Sequence, residues 1–91
     1  MVQLIKAEGG CDCVDVRDDD HLRELVGGWL EVVRTRDDRI MVIDEEGKIK
    51  GKPLNQVVTI LYGSLADYIA GDVVLMDRPD AYRLLNDGNP F

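Results

Sequence analysis

Leu25-Val26-Gly27-Gly28-Trp29-Leu30-Glu31-Val32-Val33 changes period in its middle, and that change decides the fold class. Before it, Leu22, Leu25 and Val26 recur at the i, i+3, i+4 spacing of a helix stripe, and Asp18-Asp19-Asp20 supplies an N-cap and first-turn carboxylates. Gly27-Gly28 then ends the helix, because glycine takes the left-handed C-terminal conformation without steric cost. After it, Trp29 to Arg36 is rich in branched and aromatic residues and predicts a strand. A helix therefore runs directly into a strand.

Working outward, Val2 to Ala7 and Cys11 to Arg17 read as two strands joined by a Glu8-Gly9-Gly10 turn, a hairpin signal. Downstream, Asp37-Asp38 turns the Trp29 strand into a second one from Arg39 to Asp44, and Glu45-Glu46-Gly47 turns again. Lys48-Ile49-Lys50 reads as a short edge strand whose lysines discourage pairing between molecules. Asn55 is a good N-cap for a second helix ending near Gly63, with Leu54, Val57, Val58 and Leu61 along one face. Asp67 to Ala70 connects to a nearly all-apolar strand from Asp72 to Met76. Pro79, suited to a first helical position, leaves open a short closing helix through Leu85. Residues 86–91 are turn-rich and read as a frayed tail. The order β-β-α-β-β-α-β predicts an α+β domain: an antiparallel or mixed sheet with two helices packed on it.

Length and charge bound the rest. Ninety-one residues are expected to form one domain, 1–91, with a core large enough to fold without staples. Eighteen acidic against eleven basic residues give a net charge of −7, with the cations scattered rather than striped. Nucleic acids and anionic membranes repel such a surface, so neither is an expected partner, whereas a basic protein surface is. Met1-Val2-Gln3-Leu4 lacks the charged start and apolar run of a signal peptide, and no stretch is long and apolar enough to span a bilayer. The expected compartment is the reducing cytoplasm, with Cys11 and Cys13 as free, half-buried thiols.

No cluster assembles a reaction. Cys11-x-Cys13 with His21 supplies three soft ligands where a structural zinc site takes four, so no metal or other cofactor is expected. His21 stands in a helix first turn, and the hydroxyls of Thr35, Thr59 and Ser64 sit in no nucleophile motif, so no catalytic residue is assigned. Glycine spacing matches neither phosphate-loop pattern. The candidate binding residues are Glu31, on a strand between Leu30 and Val32, and Asn55, Tyr62 and Asp72. For Glu31, Asn55 and Asp72 a plain structural reading stands beside the functional one: a solvent-facing strand carboxylate, a helix cap and a turn carboxylate.

Leu25-Val26-Gly27-Gly28 with Glu31, Asp44-Glu45-Glu46-Gly47, Lys52-Pro53-Leu54-Asn55 and Gly71-Asp72-Val73 fall in order, and in this the chain resembles a family of small prokaryotic and phage proteins known as domain of unknown function 3846. The resemblance covers Leu22 to Met76, with Lys52 departing from a usual Leu. It carries no catalytic or binding residue over. The phage and mobile-element setting of the family implies a regulator, or an inhibitor of a host system, rather than a metabolic enzyme. The expected function is thus a non-enzymatic, acidic interaction protein that docks onto a protein partner and can dimerise through an exposed strand edge. The alternative is a small-ligand module with its pocket between the second helix and the sheet, near Asn55, Tyr62 and Tyr68.

Overall fold

Two hairpins and one late strand make the sheet. The computed structural model describes residues 2–64 and 67–85, and its elements run β1 (Val2–Ile5), β2 (Cys11–Val14), α1 (Asp19–Val26), β3 (Leu30–Arg34), β4 (Ile40–Asp44), α2 (Gln56–Tyr62), β5 (Val73–Met76) and α3 (Arg78–Leu84). The β1–β2 and β3–β4 hairpins are joined by β5, which inserts between them to give the order β2-β1-β5-β4-β3, every pairing antiparallel. The fold is α+β, as its sequence implies. The expected turn-rich tail at 86–91 lies outside the described residues.

Alternation along the central strands builds two cores. Val2, Leu4, Ile40, Val42, Val74 and Met76 face Leu22 and Val26 of α1 and Ala81 and Leu84 of α3. Ile5, Met41, Ile43, Val73 and Leu75 face the other way, onto Val58 of α2 and onto Ile69. Both faces of β4 and β5 are consequently buried, so β4 as far as Ile43 and the whole of β5 are apolar instead of alternating with polar residues. Three helices cover the sheet, one of them on the opposite face from the other two, where the sequence pattern implies two plus an optional third.

The helix ends follow local chemistry. The side chain of Asp18 accepts from the N–H of His21 at 2.9 Å, and Gly27 closes α1 at φ 82° with its own N–H bonded to the carbonyl of Arg23. Asp77 caps α3 in the same way, with Pro79 in the first turn. Asn55 caps α2, which begins at Gln56 as expected, and its inner face is Val58, Leu61 and Tyr62. Leu54 and Val57, expected inside, are more than half exposed. Counting i, i+3, i+4 from Val58 gives the observed stripe; Leu54 precedes the cap and belongs to no helical face.

Lys48-Ile49-Lys50 is not a strand. Residues 45–51 form successive turns, closed by bonds from Lys50 N–H to the Glu46 carbonyl and from Lys52 N–H to the Gly47 carbonyl. The coil folds back because Lys50 and Lys52 both reach the carboxylate of Asp44.

Asn55 joins three segments at once. Its fully buried side chain donates to the carbonyls of Ile5 (3.0 Å) and Gly71 (2.9 Å) and accepts from the N–H of Val58. Replacing it by alanine strands two buried carbonyls and removes a helix cap. Asn55→Ala should lower unfolding free energy by about 3 kcal/mol in urea denaturation, with an unchanged m-value.

Candidate functional site

The segments that carry the family resemblance meet at one end of the sheet. Asp44, the last residue of β4, keeps a side chain only 1% exposed, with the ammonium groups of Lys50 at 2.9 Å and Lys52 at 2.6 Å and the N–H of Glu46 at 2.9 Å. The same lysines donate to the last carbonyls of α1: Lys52 to Val26 at 2.7 Å and Lys50 to Gly27 at 3.1 Å. Cations there complement the negative end of the helix. Gly28 is confined by this cluster, since a Cβ on it would lie 2.5 Å from the Asp44 carboxylate and 2.6 Å from the Lys50 nitrogen. Lys52, the one departure from the family pattern, thus supplies a link between Asp44 and α1.

Beside this cluster, on the α2 face, opens a cleft of about 330 Å³. Glu31 and Val33 of β3, Ile43 and Asp44 of β4, Glu45, Lys48 and Ile49 of the turns, Tyr62 at the end of α2, and residues 67–70 line it. The ammonium of Lys48 lies 4.6 Å from the ring centre of Tyr68 and bonds the carboxylate of Asp67, which also accepts from the N–H of Tyr68. That bond raises Lys48 above the ordinary lysine range and lowers Asp67 below the ordinary carboxylate range. Among the described residues Glu31 and Glu45 make no side-chain hydrogen bond or ion pair. Four carboxylates, Glu31, Asp44, Glu45 and Asp67, line the cleft with one ammonium, and although Lys50 and Lys52 balance Asp44 from outside it, the others leave a net negative charge beside two phenol rings.

A wider depression of about 490 Å³ lies beside the exposed Trp29, lined in part by Arg23, Glu24, Glu46 and Lys50. Its charges balance. Its cations are already engaged, Arg23 by Asp19 and Asp20 and Lys50 by Asp44. It offers less to a ligand than the tyrosine cleft.

Of the four residues singled out in the sequence, two converge. Glu31 and Tyr62 both line the cleft. Asn55 is buried away from it, serving the backbone as described above. Asp72 stands elsewhere and accepts from the N–H of Ala7 at 3.0 Å, tying the approach to β5 to the β1–β2 turn. Glu45, Lys48 and Asp67 escaped the sequence reading because they come from turns far apart in the chain. The available signal was charge without a helix or strand to explain it.

His21, Thr59 and Thr35 serve local structure. His21 accepts from the N–H of Arg17 through Nδ1 at 3.2 Å. The hydroxyl of Thr59 accepts from the N–H of Ile69, and that of Thr35 braces the β3–β4 turn with Asp37 and Arg39. The thiols of Cys11 and Cys13, expected half-buried, are both exposed, because the strand ends at Val14 on the sheet edge and no helix reaches over it. No helix among the described residues is long and apolar enough to cross a membrane.

The family described as Domain of unknown function (DUF3846) matches residues 2–85, nearly the whole chain, and the chain belongs to it. No curated protein and no solved structure shows significant similarity.

Burial alone would push the Asp44 carboxyl up, yet Lys52, Lys50 and the Glu46 N–H outweigh it and hold it at about 2. The bonds from Arg39 and Thr35 likewise lower exposed Asp37 to about 2. A carboxyl depressed on folding stabilises the fold above its unfolded value and loses that contribution as pH falls through the folded one. Stability should therefore decline between pH 4 and pH 2. Asp44 accounts for roughly 1–2 kcal/mol, discounted for the solvent around its lysines. Urea midpoints across that range should show the decline, and Asp44→Asn, though less stable at pH 7, should flatten it.

Proposed function

Starting from that membership, we propose that the protein is a non-enzymatic interaction protein that docks onto a basic protein surface, with the tyrosine cleft receiving an arginine or lysine side chain of the partner. The observation that carries this reading is the pair of carboxylates, Glu31 and Glu45, that have no partner among the described residues, in a cleft that also presents Tyr62 and Tyr68. A guanidinium meets such a site twice over: its planar fork bonds a carboxylate bidentately, and its face stacks on a phenol ring. Lys48 already rests on Tyr68 against Asp67, so the chain itself displays the kind of contact a foreign cation would make.

Two further features favour a macromolecular partner. Helix α2 has no charged residue and turns Val57 and Ile60, 53% and 71% exposed, outward, while Ile49 at the cleft is 84% exposed. Exposed apolar residues of this size suit a protein contact, and the net charge of −7 would steer a basic partner toward them. A reversible acidic docking protein fits the regulator or host-system inhibitor that the family's phage and mobile-element setting implies. Action in the cytoplasm belongs to the same reading.

The second reading, a small-ligand module, draws support from the cleft volume, which is near the lower end of the roughly 300–1,000 Å³ range of ligand pockets. Its ligand would be a compact organic cation. In thermal-shift measurements such a compound at 100 times its dissociation constant should add about 2.7 kcal/mol.

The docking reading is tested by titrating an arginine- and lysine-rich peptide into isotope-labelled protein and following amide resonances. Shifts should centre on Glu31, Tyr62, Tyr68 and Ile69 and fade at high salt. The double variant Glu31→Lys, Glu45→Lys should weaken binding at least about tenfold while leaving the fold intact. Shifts confined to the acidic start of α1, or none at all, would sink the proposal.

A further inference from the structure

The two cysteines sit at the opposite edge of the sheet from the cleft, and their geometry is independent of it. In the β1–β2 register Cys11 lies across from Ile5 and Cys13 across from Gln3. Both thiols therefore point to the face that carries α2. That helix covers Ile5 but leaves Gln3 exposed, so none of the described residues roofs the corner and both thiols are exposed. Free cysteine is ordinarily among the most buried residue types. Two exposed on one strand need an explanation.

Backbone phase adds a second observation. The bond from the Lys6 N–H to the Gly10 carbonyl starts an alternation in which Gly10, Asp12 and Val14 aim their backbone groups at β1. The N–H and C=O groups of Cys11 and Cys13 accordingly point outward from the sheet edge, where β2 has no neighbour. The residues with free ladder groups are the residues with thiols.

The geometry points to a shared site: Cys11 and Cys13 form half of a four-thiolate site for a zinc-class divalent ion, and the same two cysteines of a second copy complete it. Antiparallel pairing of two β2 strands about Asp12 sets each copy's Cys11 opposite the other's Cys13, in the hydrogen-bonding phase the free groups require, with all four thiols on one face. Within a strand the two Cα atoms are about 6.7 Å apart, close enough for their sulfurs to turn toward one ion. A single copy falls short, since the described residues hold no group of three or more His, Cys, Asp or Glu able to bind a metal. Four thiols become thiolates as the ion binds, and their four protons pass to solvent.

Pairing without metal is disfavoured. The two Asp12 side chains would oppose each other across the axis on the other face, and among the described residues each has only Lys6, 3.3 Å away, as compensation. The dimer should therefore exist only with the ion.

Cobalt titration of the reduced protein tests this, because tetrahedral cobalt thiolate absorbs characteristically. The thiolate-to-cobalt band should saturate at one ion per two chains, zinc should bleach it, and native mass spectrometry should show the mass doubling in step. Cys11→Ser and Cys13→Ser should each abolish both the band and the dimer while leaving the melting curve of the metal-free protein unchanged, since both side chains are exposed. An absent band, saturation at one ion per monomeric chain, or a dimer that survives either substitution would overturn the shared site.

Discussion

The amide of Asn55 is the constraint on which the architecture rests. It is fully buried, and each of its bonds goes to backbone from a different part of the chain: the end of β1, the residue before Asp72, and the first turn of α2. A carboxylate of the same shape has no N–H and would set oxygen against two carbonyls, so asparagine is required by donor count as well as by size. The N–H of Asn55 also bonds Ile69, and Gly71 bonds Pro53, which aligns the chain before β5 with the chain before α2. These links aim β5 into the gap between the hairpins.

Asp44 plays the complementary electrostatic part. Two of the four lysines in the chain converge on it and also satisfy carbonyls at the end of α1, so a helix on one face of the sheet is held to a strand end and to the turns that follow. This internal use of cations shapes the exterior. With Lys50 and Lys52 engaged at Asp44 and Lys48 at Asp67, the acids at the start of α1 and in the cleft retain much of the surface character of the molecule. The segments that bear the family resemblance mostly build these two junctions. Their residues explain the fold better than they mark a binding site, with Glu31 and Glu45 as the exceptions.

Local chemistry was legible in the sequence. Asp18, Asn55, Gly27, Gly63 and Pro79 mark helix ends where they were expected, because a cap depends on a few neighbouring backbone groups. Long-range arrangement was less so. The unbroken apolar runs Ile40–Ile43 and Val73–Met76 already indicate strands covered on both sides, but not which helix lies on which side. Lys48-Ile49-Lys50 alternates like a strand and is coiled instead, since its charges answer to Asp44 and Asp67 rather than to a neighbouring strand. The cleft gathers residues from β3, two turns and the end of α2, and such gathering leaves no periodic trace.

The central place of β5 has a bearing on biosynthesis. As the chain leaves the ribosome, both hairpins emerge before the strand that must lie between them, and each meanwhile presents an open apolar edge. Hairpins form in roughly 1–10 μs whereas synthesis adds about 5–20 residues per second, so the nascent polypeptide passes through a stage when β1 and β4 can recruit wrong neighbours. Docking of residues 73–76 closes that interval, making this protein one whose maturation awaits nearly its last described segment.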